Sequence, residues 1–174
     1  VPIHTSMGLE YRLVFCPFLW DGRLLGQYTD SARCHDEQGQ PLLDLGSDRL
    51  GEHLQAARRE SFAEKLRLTY VALTRARDRL WLHWGPAALP KPKKDGSLPD
   101  EGLHSSALAW LLHGRELPGA DALAELAGYL AGQEGPDLAA ELDELAGSSA
   151  GLIARLAPLT EEAQAAGTGR AEPP

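Results

Sequence analysis

Arg75 is the side chain in this 174-residue sequence around which chemistry is easiest to argue. It closes the run Leu66-Arg67-Leu68-Thr69-Tyr70-Val71-Ala72-Leu73-Thr74-Arg75. Between Leu66 and Leu73 that run is apolar on nearly every side of a helix, the pattern of a helix buried between layers. An arginine emerging from such packing gives up rotamer freedom and hydration, so its position implies a fixed anionic partner. Its fork of donors suits phosphate or carboxylate. The second stretch is His4-Thr5-Ser6-Met7-Gly8-Leu9-Glu10, a small-residue turn about Gly8. It lies between an extended lead-in, Val1-Pro2-Ile3-His4, and the apolar run Tyr11-Arg12-Leu13-Val14-Phe15-Cys16. Junctions of strand and turn are where open α/β sheets place ligands. Plainer readings stand beside these: Arg75, Arg77 and Arg79 as a solvated helix end complementing the helix dipole, His4 as a core histidine, and Glu10 as a helix-end carboxylate.

The elements that would position these groups can be read from periodicity. Phe62, Leu66, Tyr70 and Leu73 recur at helical spacing, so a helix is expected from near Ser47 or Asp48, where a side chain can cap it, toward Asp78. Leu80-Trp81-Leu82-His83-Trp84 then switches to period two and reads as a strand. Residues 11–20 read as a buried strand of a parallel sheet. Residues 21–50 are rich in Gly, Asp, Gln and Ser and read as a surface loop with one short strand at 41–45. Asp36-Glu37-Gln38 follows polar residues rather than an apolar strand, and is expected to be a solvated loop and no metal site. Cys16 reads as a small core residue. Cys34 beside His35 offers two ligands, too few for zinc, so no metal is expected. Pro90-Lys91-Pro92-Lys93-Lys94-Asp95-Gly96 forms an exposed basic loop, a linker whose lysines could reach a nucleic-acid backbone. Beyond it, helical stripes are expected over 105–113, 121–130 and 136–145. The last has Pro136 at its start and Gly147 just past its end. Leu152, Ile153, Leu156 and Leu159 make a further short stripe, and residues 163–174 read as a disordered tail.

Together, the two candidate stretches resemble one family. His4-Thr5-Ser6-Met7-Gly8-Leu9-Glu10-Tyr11 is similar to motif V, and Leu68-Thr69-Tyr70-Val71-Ala72-Leu73-Thr74-Arg75-Ala76 to motif VI, of the UvrD-type superfamily 1 DNA helicases. Cys16-Pro17-Phe18-Leu19-Trp20, and later His104-Ser105-Ser106-Ala107-Leu108 with Leu111-Leu112, point more narrowly to RecB-like helicase-nucleases. Either motif alone is short; the pair in this order, each at a helix–strand junction, is specific. The resemblance covers about residues 1–113. The sequence departs from the family pattern at Met7, where lysine is usual, and at Pro2, where threonine is usual.

The resemblance implies an α/β fold. Residues 1–94 would be the C-terminal part of a second RecA-like domain, of the P-loop NTPase type, with a parallel sheet and flanking helices. A C-terminal acidic helical extension (95–162) and a tail or linker (163–174) would follow. No Gly-x-x-x-x-Gly-Lys-Ser/Thr loop is present, so the stretch would supply one half of an ATP cleft within a longer parent and be inactive alone. ATP with Mg2+ would be the parent's cofactor, with none bound to this stretch. Arg75 would reach the γ-phosphate and stabilise charge spreading over the transferred group. Gly8 and Glu10 would lie beside the nucleotide, Glu10 on the ribose or ordering nearby loops. His4 and Thr5 would contact single-stranded DNA. RecC-like and RecD-like subunits would be partners, with no membrane role, and the stretch itself would be monomeric. Two unpatterned cysteines and no export signal fit the cytoplasm. The alternative is a non-catalytic, helicase-like interaction module holding partner subunits through its leucine-rich acidic helices.

Charge divides the sequence in the same place. Residues 1–94 hold fourteen Lys/Arg against eleven Asp/Glu, and residues 95–174 hold three against fourteen. The net charge of −8 thus combines a mildly basic part with a strongly acidic one. Nucleic acid should touch the first and be repelled by the second.

Overall fold

A computed structural model describes residues 3–6, 8–25, 30–85, 89–114 and 121–156, for His4, Thr5 and Ala122 the backbone alone. The elements are a 3-10 turn (Ile3–Ser6), β1 (Tyr11–Cys16), β2 (Ala32–His35), β3 (Pro41–Asp44), α1 (Leu50–Leu73), β4 (Ala76–Leu82), a second 3-10 turn (Leu103–Ser105), α2 (Ala107–His113), α3 (Ala122–Ala131) and α4 (Gly135–Ser148). The chain divides into two units between Leu138 and Ala139, inside α4.

In the first unit β1 and β4 pair in parallel, Leu13 opposite Arg79, Phe15 opposite Trp81 and Cys16 opposite Leu82. Parallel partners need a long crossover. Here it consists of the antiparallel β2–β3 hairpin and the whole of α1. The molecule is therefore mixed α/β with a small parallel pair and helices, an arrangement compatible with part of a RecA-like fold. A core of Ala109, Leu126, Leu130 and Leu138 packs against Trp84, Leu89, Trp110 and Tyr129, so α2 and α3 close over the segment that follows β4. Trp110 meets Phe62 of α1 edge to face at 6.3 Å.

Several expectations are corrected. The 21–50 region is not all loop before residue 41: residues 32–35 form β2, burying Ala32 and Cys34 on one face and exposing Arg33 and His35 on the other. The period is two, but the buried residues are small and the exposed ones polar, which hides the strand. Asp36 does sit in a turn, where its carboxylate accepts from the backbone N–H of Gln38 and Gln40. The long helix ends at Leu73, not near Asp78, and β4 starts at Ala76 rather than Leu80. Arg77 and Arg79 therefore stand on a strand, not on a helix end. Nor is the helix buried all round. Its buried positions are Ala57, Phe62, Thr69 and Ala72, whereas Tyr70 is 68% exposed. β1 likewise is not a buried strand: Leu13 is 54% and Phe15 63% exposed, with Phe15 stacked on Trp81. Residues 3–6 form a 3-10 turn in place of an extended lead-in.

In the second unit, α4 runs through Gly147 to Ser148, so that glycine does not mark its end. No helix forms at Leu152, Ile153 and Leu156, which are exposed, and Arg155 pairs instead with the Asp143 carboxylate. Leu159, the 163–174 tail, Pro2 and Met7 lie outside the described residues. No helix among the described residues is long and apolar enough to cross a membrane.

Candidate functional site

The turn that ends α1 and the turn that precedes β1 are the two sequence-predicted site segments, and they meet. At the first, Thr74 N–H donates to Tyr70 O (3.0 Å) and Arg75 N–H to Ala72 O (3.3 Å), winding the last turn down before β4 departs. At the second, Leu9 N–H donates to Ser6 O (3.1 Å) and Gly8 takes φ +81°, a backbone region that glycine enters without a Cβ clash. Tyr11 N–H then donates to Arg75 O (2.9 Å), so the two turns are joined through the main chain where the parallel pair begins. Both turns precede their strands, which puts this edge at the amino ends of β1 and β4. The rule that open sheets bind ligands at their carboxyl ends does not recommend it; the arginine does.

The Arg75 guanidinium lies across the junction. Nε donates to Val71 O (3.1 Å), Nη1 to Leu9 O (3.2 Å) and Nη2 to Thr74 Oγ1 (3.0 Å). These use three of its five N–H donors and leave one on each terminal nitrogen. All three acceptors are uncharged, and among the described residues no carboxylate lies within ion-pair distance of Arg75. A half-buried cation fixed in position without a counter-charge is a place where an anion gains two charge-assisted hydrogen bonds. By contrast Arg77 and Arg12 share the Asp78 carboxylate, at 3.1 and 2.6 Å. Glu10 is exposed on the same turn as Leu9 and has no hydrogen-bond partner among the described residues. His4 and Thr5 lie in the 3-10 turn just before Gly8, and their side chains lie outside the described atoms. The structure thus brings Gly8, Leu9 and Arg75 together, with Glu10 adjacent. Among the described residues no cluster of three His, Cys, Asp or Glu side chains is placed to hold a metal.

No family model matches the sequence. Three curated proteins show what it is similar to. RecBCD enzyme subunit RecB of Escherichia coli (strain K12) is 39% identical over 113 residues, 64% of this chain and 9% of that protein. RecB of Haemophilus influenzae is 40% identical over 83 residues, 44% of this chain and 6% of that protein. An ATP-dependent helicase/nuclease subunit from Carboxydothermus hydrogenoformans is 36% identical over 88 residues, 46% of this chain and 8% of that protein. Over this stretch the chain is similar to RecB and to related ATP-dependent helicase/nuclease subunits. It spans less than a tenth of the length of each of these three relatives.

Two further polar clusters brace the RecB-like segment. Asp44, buried at the end of β3, accepts from the N–H groups of Gly46 (3.0 Å) and Ser47 (2.7 Å) and from Ser47 Oγ (2.7 Å), with His53 Nδ1 at 2.6 Å. The donors, the Ser47 amide foremost, hold its carboxyl well below the usual carboxylate range. The loop after β1 is tied down by Glu101, which accepts from Leu24 and Leu25 N–H (3.0 and 3.1 Å), and by Ser105 Oγ, which donates to Gly22 O (2.6 Å). Beside it His104 is 1% exposed, and that burial pushes its pKa down. The sequence reading assigned no role to Thr74, Asp44 or Glu101. Thr74 carried a signal, a hydroxyl at a helix end able to bond back to the carbonyl four residues earlier. So did Asp44, two residues before a glycine and three before a serine, a usual setting of an Asx-turn. Glu101 carried none, since its partners lie 76 and 77 residues away.

Proposed function

We propose that this chain supplies the motif V and motif VI half of the ATP cleft, and part of the single-stranded DNA track, of a RecB-like ATP-dependent DNA helicase-nuclease that processes double-strand breaks in recombinational repair. One observation carries the reading: the Arg75 guanidinium is held on the Leu9 carbonyl at the junction of the two turns, with an unspent N–H on each terminal nitrogen. In this reading Arg75 is the group that touches the γ-phosphate of bound ATP, where its charge stabilises the transferred phosphoryl group. Gly8 lets the backbone approach the nucleotide, since nothing lies within 4 Å of the position its Cβ would take. Glu10 projects from the same turn toward the ribose or the neighbouring loops. His4 and Thr5, one turn earlier, contact the DNA strand.

The residues present fit half of a nucleotide site. They offer an arginine fork and an open glycine turn; the sequence has no phosphate loop, and no cluster of metal-binding side chains occurs among the described residues, so the other motor domain of the parent would bring both with ATP and Mg2+. RecC-like and RecD-like subunits would be the parent's protein partners. The exposed side chains on β1 and β4 support a parent in which further elements cover this pair, because parallel strands are ordinarily covered on both sides.

The isolated chain is expected to show no ATPase, and robust turnover by a clean preparation would refute the half-site reading. In the longer parent, Arg75→Ala should lower ATP turnover by about 10³-fold, measured as steady-state phosphate release. Near-normal turnover would remove Arg75 from the mechanism.

A further inference from the structure

The geometry points to Thr74 as a positioning residue for Arg75, its hydroxyl setting the plane in which the guanidinium presents its free donors. This rests on the reading of Arg75 given above. Thr74 Oγ1 has one proton, and it lies 2.9 Å from Tyr70 O and 3.1 Å from Val71 O, the last carbonyls of α1. Donating there fixes the rotamer and leaves a lone pair for Arg75 Nη2 at 3.0 Å. The guanidinium is planar, so three acceptors on three different nitrogens determine its orientation. Val71 O takes Nε, Leu9 O takes Nη1 and Thr74 Oγ1 takes Nη2.

Two of these acceptors are backbone carbonyls that any sequence would provide. The third is a side chain and can be lost. Without it, rotation about the Nε–Cζ bond and the side-chain torsions is resisted only at Nε and Nη1, and the free N–H groups are held less firmly in one direction. Thr74 is 3.0 Å from the guanidinium and needs no contact with nucleotide, so it acts only through Arg75.

Thr74→Val keeps shape and β-branching but removes both the proton and the lone pair. Thr74→Ser keeps the hydroxyl and loses a methyl. The first measurement uses this chain alone and is independent of any motor activity: nitrogen-15 NMR of the Arg75 guanidinium, whose Nη1 and Nη2 signals are separate only when rotation about Nε–Cζ is restricted. Separate signals are expected in the native chain and in Thr74→Ser, merging in Thr74→Val. Separate signals persisting in Thr74→Val, or merged signals in the native chain, overturn the proposal.

The second measurement is turnover in the longer parent. Thr74→Val should lower kcat by about 10- to 100-fold with KM for ATP within about twofold, as expected of a misplaced catalytic group, and Thr74→Ser should restore kcat to within about threefold. A helix-end defect alone would lower the melting midpoint and would not split kcat from KM. If Arg75→Ala abolishes turnover while Thr74→Val leaves kcat unchanged, the positioning role is wrong and the reading of Arg75 stands. If Arg75→Ala itself leaves turnover unchanged, that reading fails, and the NMR result alone decides whether Thr74 orients the guanidinium.

Discussion

Asp44 orders the turn that leads into α1, as Thr74 orders the turn that leaves it, each through a short polar side chain. Its carboxylate gathers two backbone N–H groups, the Ser47 hydroxyl and His53, pinning the end of β3 to the first turn of the helix. A carboxyl whose folded pKa is depressed contributes stability that is present above its unfolded value, near 4, and lost as pH falls through the folded one. Stability should therefore drop as the medium is acidified below about pH 4, and Asp44→Asn should make that drop shallower. Melting midpoints across this range check it; parallel curves for the two proteins would show that Asp44 is not the group responsible. At this scale the sequence was informative where chemistry is local. Arg75 was legible from its place after an apolar run, because desolvation of an arginine is costly wherever the partner is. What it touches was not legible, since Leu9 lies 66 residues away in the chain.

Among the elements, α1 shows both what periodicity reveals and what it conceals. A helix through residues 60–73 is plain in the spacing, yet its apolar run from Leu66 to Leu73 overstates its burial, because β2, α2 and the first 3-10 turn cover only part of its surface. The end of the helix is not legible in the sequence because Ala76-Arg77-Asp78-Arg79 suits a charged helix terminus as well as an exposed strand. Pairing with β1, with Arg12 on Asp78, decides for the strand, and pairing is not a property of the local sequence. The β2 strand is concealed for the opposite reason, its buried residues being as small as Ala32 and Cys34. Gly22 marks a third tertiary constraint. A Cβ there would lie 1.5 Å from the Gly102 carbonyl oxygen, where the loop after β1 crosses the segment leading to α2. Gly22→Ala should force that crossing apart and destabilise the first unit by about 1–3 kcal/mol. A urea midpoint unchanged from the native chain would mean the two segments do not approach so closely.

For the whole molecule, charge and fold tell a joint story. The basic residues lie with the parallel pair and α1, whereas the helices after residue 95 are acidic. α2 and α3 nevertheless pack into the first unit through Trp84, Trp110 and Leu126, so composition separated by charge what packing joins. The likeness to RecB was legible because two short stretches, at Gly8 and at Arg75, resemble family motifs in order, and the expectation of a mixed α/β fold followed from it. The exposure of Leu13 and Phe15 could not be read from composition, since it depends on which neighbours a strand has. The central claim is that the Gly8 turn and the Arg75 turn face one bound triphosphate. Amide hydrogen exchange in the longer parent, with and without ADP and aluminium fluoride as a mimic of the transferred phosphoryl group, tests it most directly. Residues 8–11 and 72–76 should gain protection together when the mimic binds, and the gain over 8–11 should vanish in Arg75→Ala. Protection elsewhere in the protein with neither segment changed would contradict the account.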